Sequence, residues 1–365
     1  MDGSRSTVRV AGSRLEDRVL VMTTSHLPTD LEEILATHSG ISGVVAAGGP
    51  AVRECRKLKG VQPGMILGQD TQAARSHWAT VIAPFHLPAA GLFGVPSLSD
   101  QVMSAGSDVD AVIAPSGTVR HGDTAALRAV VAGSNAVSDP RLVCSLPVEA
   151  GWLTNPDRRE LIEQVQVSEH MVALTVVGQF DPLEDAGVAE GLLAVAELCG
   201  NKVILHHTDM AALQFIGHGG GGAVIGCTAS LRHSVPALRR SRRRRKNSSP
   251  GMAVFVPGID EFRDVTELGR WWGDDAPICE QSGCCGRALT DFDPKDPDDT
   301  ALLAAHNLRG PLAVAAELLA AADRRSWLRD YRRQLLTAYD ELRKATRAPG
   351  IAPYGSANIW LRLDN

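Results

Sequence analysis

The chain has 365 residues, of which 44% are hydrophobic and 22% charged, with a net charge of −5; this is enough for one large α/β domain with an extension, or for two domains. No apolar run approaches the roughly 18 residues that a membrane span needs, and the opening residues MDGSRSTVRVAGSR lack the apolar core of a secretory signal, so the chain reads as cytoplasmic with no membrane partner. Seven cysteines, an odd count in such a chain, argue against a disulfide framework and for free thiols plus a metal site.

Residues 1–17 form an unpatterned tail. From there the chain alternates short apolar runs with amphipathic ones. The predicted strands are 18–24, 43–47, 65–69, 110–114, 142–146, 171–177, 202–207 and 223–227, and helix-like segments at 30–38, 51–58, 124–132, 158–169, 188–198 and 210–216 lie between them. Continuous rather than alternating apolar strands mark a parallel sheet buried on both faces. Eight of them close a (β/α)8 TIM barrel over residues 18–233, with an open doubly wound sheet as the rival.

In such a barrel the chemistry sits in the loops that follow the strands. Those positions hold Gln69 and Asp70, Gln179, His206 and His207, and Thr228, Arg232 and His233. Asp70, His206, His207 and Thr228 are the candidate catalytic groups; Gln69, Gln179, Arg232 and His233 are candidate substrate binders. Asp70 has a competing role as a helix cap, which aspartate performs commonly. Side chains alternate along a strand, so at most one of His206 and His207 should face inward. Arg232 suits a phosphate, held in bidentate geometry. Cys227 reads either as a small buried residue or as a nucleophile beside a histidine base. The run Gly217–Gly222 (GHGGGG) lacks the Lys-Ser/Thr ending of a phosphate loop and precedes a strand, so it reads as a connection that lets backbone approach closely.

Residues 234–251 look like an insertion, in which Arg239, Arg240, Arg242, Arg243, Arg244, Arg245 and Lys246 place seven cations in eight residues. Such a block suits nucleic-acid phosphates, with a solvated loop as the bland alternative. A short strand follows at 252–256. Then Cys279, Cys284 and Cys285 fall in a polar loop and His306 in an apolar helical run, a Cys3His set suited to tetrahedral zinc. Helical periodicity continues from 301 to 346, and 354–363 should pack back as an extended tail. Residues 252–365 thus make a zinc-binding helical subdomain.

Three stretches resemble the tRNA-guanine transglycosylase family. Cys279-Glu280-Gln281-Ser282-Gly283-Cys284-Cys285 with Leu302-Leu303-Ala304-Ala305-His306-Asn307-Leu308 is similar to its zinc segment, Cys-x-Cys-x2-Cys followed by a His in an HNL helix; Thr208–His233 and Pro96–Ala114 are similar to its strand-eight and strand-four segments. The resemblance implies a barrel with a structural Zn2+ site after strand eight, a homodimer through that subdomain, and base exchange at an N-glycosidic bond in tRNA or DNA or on a free nucleoside, with a small-molecule base as co-substrate. It also implies an acid/base aspartate after strand three, matching Asp70. The second cysteine position is Gln281, so Cys285 is the available replacement. The family's nucleophilic aspartate falls on Gly226 and its strand-four aspartate on Ala114. A rival register that uses Gly258–Phe262 as strand eight puts Arg263 and Asp264 there instead. The expected function is therefore transglycosylase-like chemistry with altered residues, or a catalytically silent nucleic-acid-binding or partner subunit on the same fold.

Overall fold

The computed structural model of the chain describes residues 14–89, 96–179, 181–235, 252–281, 283–293, 295–346, 350–353 and 355–362. Eight parallel strands close into a barrel: β1 (Arg18–Thr23), β2 (Gly43–Ala47), β3 (Ile66–Asp70), β4 (Ala111–Ile113), β5 (Leu142–Glu149), β6 (Val172–Val177), β7 (Val203–Thr208) and β8 (Gly222–Gly226). Closure is made by β1 against β8, with Arg18 opposite Gly222 and Met22 opposite Gly226. Nearly every strand residue is buried, as a sheet with side chains packed on both faces requires.

Helices α1 (Leu31–Thr37), α2 (Gly49–Val61), α3 (Leu98–Ser104), α4 (Thr124–Asn135), α5 (Arg158–Val167), α6 (Ala186–Cys199) and α7 (Ala211–Gly217) form the outer layer. Their starts are chemically marked. Ser97 and Asp100 cap α3 reciprocally, the Asp123 carboxylate accepts from the Ala126 N–H at the start of α4, and Asp185 accepts from the Gly187 and Val188 N–H groups at α6. The glycine run before β8 is a close-packing device: a Cβ on Gly221 would lie 2.6 Å from the Asn201 carbonyl oxygen and one on Gly222 2.8 Å from that of Arg18.

A single turn, α8 (Ala229–Arg232), follows β8. Farther along come a two-stranded antiparallel hairpin of β9 (Ala253–Val256) and β10 (Glu261–Asp264), then α9 (Val265–Trp272), α10 (Pro297–Ala320), α11 (Arg324–Thr346) and α12 (Ser356–Trp360). Helix α10 packs between α7 and α1 and against β1. Its buried Ala304, Ala305, Leu308, Leu312 and Ala315 belong to the barrel core. It is therefore the outer helix of the eighth βα unit, and the hairpin subdomain is inserted between β8 and that helix. The subdomain has a small core of its own, built around Val254, Val256, Leu268, Leu289, Phe292 and Tyr339.

The rival register is overturned, because Glu261–Asp264 pairs with β9 outside the barrel and the eighth barrel strand is Gly222–Gly226. Arg263 is buried there, bonded to Glu267 and the Ala352 carbonyl. The tail also differs from the extended segment expected. Residues 356–360 form α12, whose Trp360 is buried and whose Ser356 N–H donates to Asp181 Oδ2 at 2.8 Å. Among the described residues no helix is long and apolar enough to cross a membrane. The basic run, Arg239 to Lys246, lies outside the described residues.

Candidate functional site

At the C-terminal mouth of the barrel, Asp70 on β3 and His206 and His207 on β7 converge, only 5%, 2% and 8% exposed. Alternation predicted that one imidazole at most would face inward; both do. The β7–β8 pairing shifts register between Leu205 and Thr208, and His207 has a φ of 55°. This local irregularity interrupts the two-residue period and turns the second ring inward. A left-handed conformation costs a residue with a Cβ about 1–2 kcal/mol, so the surrounding contacts must hold His207 there.

Those contacts are specific. The His207 Nδ1–H donates to the Leu231 carbonyl at 2.9 Å, leaving Nε2 to face Asp70 Oδ2 at 3.3 Å. His206 Nδ1 is 3.1 Å from the Thr175 hydroxyl, and its Nε2 points at the same carboxylate oxygen from 3.7 Å, buried and with no hydrogen-bond partner. Asp70 Oδ1 accepts from the Gln72 N–H at 2.6 Å, so the aspartate both organises the turn after β3 and presents its second oxygen to the histidines. Burial alone would raise the Asp70 pKa, but the hydrogen bond from His207 and the imidazole charges outweigh it and hold the carboxyl at about 2. Burial, then repulsion from His207, pushes His206 down to about 3. Arg75 reaches from the loop after β3 to the Ser230 carbonyl after β8 and ties two loops over the mouth.

The other expected residues fall elsewhere. Thr228 starts α8, with its hydroxyl on Ser230 at 3.1 Å and its carbonyl accepting from the Leu231 and Arg232 N–H groups. Gln69 is half-buried on β3 and Gln179 is exposed beyond β6. Cys227 is buried against Thr23, and burial pushes its thiol up, which fits a packing role. Arg232 and His233 line a neighbouring pocket of about 180 Å³ with Asp181, Asp209 and Trp360. Arg232 stacks 3.6 Å over the Phe262 ring, and its buried Nη1 has no hydrogen-bond partner. Burial lowers its pKa to about 10, which leaves it charged at neutral pH. His233 Nε2 lies 3.4 Å from Asp209 Oδ2.

Gly226 cannot be replaced by the missing carboxylate. A Cβ there would lie 2.3 Å from the Leu231 carbonyl carbon and 2.5 Å from the Arg232 nitrogen. Gly226→Asp is expected to lower stability by about 1–3 kcal/mol through overpacking, without creating activity; a urea melt reads the loss.

The second centre joins Cys279, Cys284, Cys285 and His306, whose ligand atoms all lie within 4.8 Å of one another. His306 Nδ1 is 3.4 Å from Cys284 Sγ and 3.7 Å from Cys285 Sγ. Zinc bonds of about 2.3 Å to sulfur and 2.0–2.1 Å to nitrogen put tetrahedral ligands roughly 3.5 Å apart, so the set fits a metal ion. The His306 Nε2–H donates to the Phe255 carbonyl at 2.8 Å, which fixes the tautomer that leaves Nδ1 as ligand. A hydrogen bond from the Cys284 thiol, and then one from His306, hold Cys285 far below the usual thiol range, while Cys284 is raised. Cys285, and not Gln281, completes the four.

Asn307, adjacent to His306, was not singled out as a functional residue. It accepts from the Phe255 N–H at 2.7 Å and donates to the Ala253 carbonyl at 2.8 Å, so the His-Asn pair clamps β9 to α10 through three backbone contacts. Asn307→Ala is expected to cost about 1–3 kcal/mol by stranding buried backbone groups, read as a lower midpoint in a urea melt. A larger groove of about 860 Å³ beside Cys279 and Ile278 is mainly apolar, and lacks the convergent titratable groups that the mouth holds.

The chain matches no family model and no curated protein. Among solved structures it is similar to the carboxyl transferase domain from Rhizobium etli pyruvate carboxylase, with 12% identity and a TM-score of 0.34 over 96% of this chain and 61% of that one. The same domain with pyruvate and biocytin is similar at 11% identity and a TM-score of 0.34, over 96% of this chain and 60% of that one. The chain thus spans less than two thirds of the length of the chains it matches.

Proposed function

We propose that this protein is a barrel enzyme acting at the N-glycosidic bond of a nucleic acid or nucleoside, a divergent relative of the tRNA-guanine transglycosylases, with Asp70, His206 and His207 as its reacting centre. The observation that carries the reading is the convergence of one ionised carboxylate and two imidazoles at the mouth of the barrel, where β3 and β7 end. Cleavage of such a bond builds positive charge on the sugar and delivers electrons to the base. A carboxylate stabilises the first, and a positioned imidazole supplies a proton to the second. Arg232, with a free donor in a pocket after the last strand, suits the substrate's phosphate.

The ion at the Cys3His centre is proposed to be Zn2+ in a structural role, since four protein ligands close its coordination. A nucleic acid, tRNA or DNA, is the proposed macromolecular partner, a free base the small one, and a homodimer through the subdomain the proposed assembly. Deleting Arg239–Lys246 is expected to weaken nucleic-acid binding and to reduce the slope of log K against log salt by up to about 6, measured by titration at several salt concentrations.

A second reading, a catalytically silent binding subunit, is favoured by Gly226, which offers no nucleophile and no space for one. Incubating the protein with tRNA or DNA and labelled guanine or a deazaguanine separates the two. Incorporation, or release of base, that disappears in Asp70→Asn supports the enzyme; binding without either supports the subunit.

A further inference from the structure

We propose that Asp70, His206 and His207 hold a divalent first-row transition-metal ion, a second metal site beyond the Cys3His centre and of a different kind. One ligand atom from each of the three residues lies within 4.8 Å of the other two, and Nε2 of both imidazoles faces Asp70 Oδ2. The two carboxylate–imidazole separations are 3.3 and 3.7 Å. Bonds of about 2.0–2.2 Å to a common ion place adjacent ligand atoms roughly 3–3.6 Å apart. The shorter separation falls in that range; the longer lies just above it and is beyond a hydrogen bond, so a small inward movement of His206 would complete the set.

The lone pairs point the same way. The outer nitrogen of each ring is engaged, His207 Nδ1 by the Leu231 carbonyl and His206 Nδ1 by the Thr175 hydroxyl. This is the arrangement that orients metal-bound imidazoles and directs their Nε2 atoms inward. A proton on His207 would satisfy its contact with Asp70. It would leave His206 Nε2, buried in a residue 2% exposed, aimed at the same oxygen with no partner. One cation satisfies all three atoms, whereas one proton cannot.

The donor set of two imidazoles and a carboxylate selects Zn2+, Fe2+, Co2+ or Mn2+ over Mg2+ or Ca2+, which favour all-oxygen surroundings. Three protein ligands leave a position for water or substrate, as in catalytic rather than structural sites. With an ion bound, the two Nε2 atoms would be ligands and not proton donors, so this reading replaces the imidazole's proton transfer proposed above with metal-assisted chemistry on the same substrate class; metal content tests the one and base release the other, so the two readings can fail separately.

The test is metal content of the full chain, stripped with a chelator and reloaded with Zn2+ or Co2+, measured by plasma emission with circular dichroism as the check of fold. Two ions per chain are expected, one for each cluster. His206→Gln and Asp70→Asn should each lose one ion and keep the thiolate-to-Co2+ absorption of the Cys3His centre, while Cys284→Ser should lose that absorption and keep an ion of nitrogen–oxygen type. One ion in the wild-type chain, held by the cysteines and unaffected by either mouth substitution, would overturn the proposal and leave a proton between His207 and Asp70. The wild-type count decides the question even if a variant fails to fold.

Discussion

Replacing His306 with alanine, or stripping the chain with a strong chelator, is expected to unfold the segment between β9 and α10 while the barrel stays intact. The cluster ties a loop with little regular structure: among the described residues 277–293 there is no helix or named strand, only an isolated bridge between Ile278 and Ala288, with the Arg287–Asp299 ion pair as a further polar anchor. Binding of structural zinc contributes about 10–16 kcal/mol in isolated fingers. The small apolar core around Leu268 and Phe292 is shared with the metal loop through Cys279 and Leu289, so losing the ion should loosen that core as well. His306→Ala also strands the Phe255 carbonyl that its ring now satisfies. The barrel core, by contrast, has α10 locked against it by Leu308 and Leu312, which are not among the four clustered ligand residues. Hydrogen exchange should show protection lost over 252–293 and retained in β1 to β8, together with a change in the fluorescence of Trp271 and Trp272.

Asp70→Asn is expected to lower turnover by about 10²- to 10³-fold, the range for removing a preorganised group that stabilises charge in the transition state, with little change in stability. The amide oxygen can still accept from the Gln72 N–H, which preserves the turn after β3. What disappears is the charge opposite His207 and the oxygen on which both imidazoles converge. A structural role alone would predict the reverse, a lower melting point with unaltered turnover in the surviving fraction. Rates and melts on the same preparation separate the two.

The barrel was legible because its strands are uninterrupted apolar runs: Gly43–Ala47 has the bounds expected, and the other seven strands begin and end within a few residues of them. Helix α3 was missed although Ser97 and Asp100 carry its capping signal, since seven residues with few apolar positions give weak periodicity. The inward turn of both histidines could not be read, because it depends on a register irregularity that the strand pattern does not encode. The metal ligands were legible as residue types. Cys285 was among them, since three thiols and one imidazole already make a complete tetrahedral set. The place of α10 as the barrel's eighth helix was hidden by the inserted subdomain, which separates it from β8 by 70 residues. The separation of Thr228 and Arg232 from the triad follows from α8, a single turn too short to give a helical signal.

The most direct test of the mouth as a reacting centre is base exchange or release from tRNA and DNA by the metal-replete chain, run beside Asp70→Asn. Incorporation of labelled guanine or deazaguanine, or release of a base, by the wild-type chain and its loss in the folded variant is the predicted result. Nucleic-acid binding of equal strength in both, with neither exchange nor release in the wild type, would contradict it.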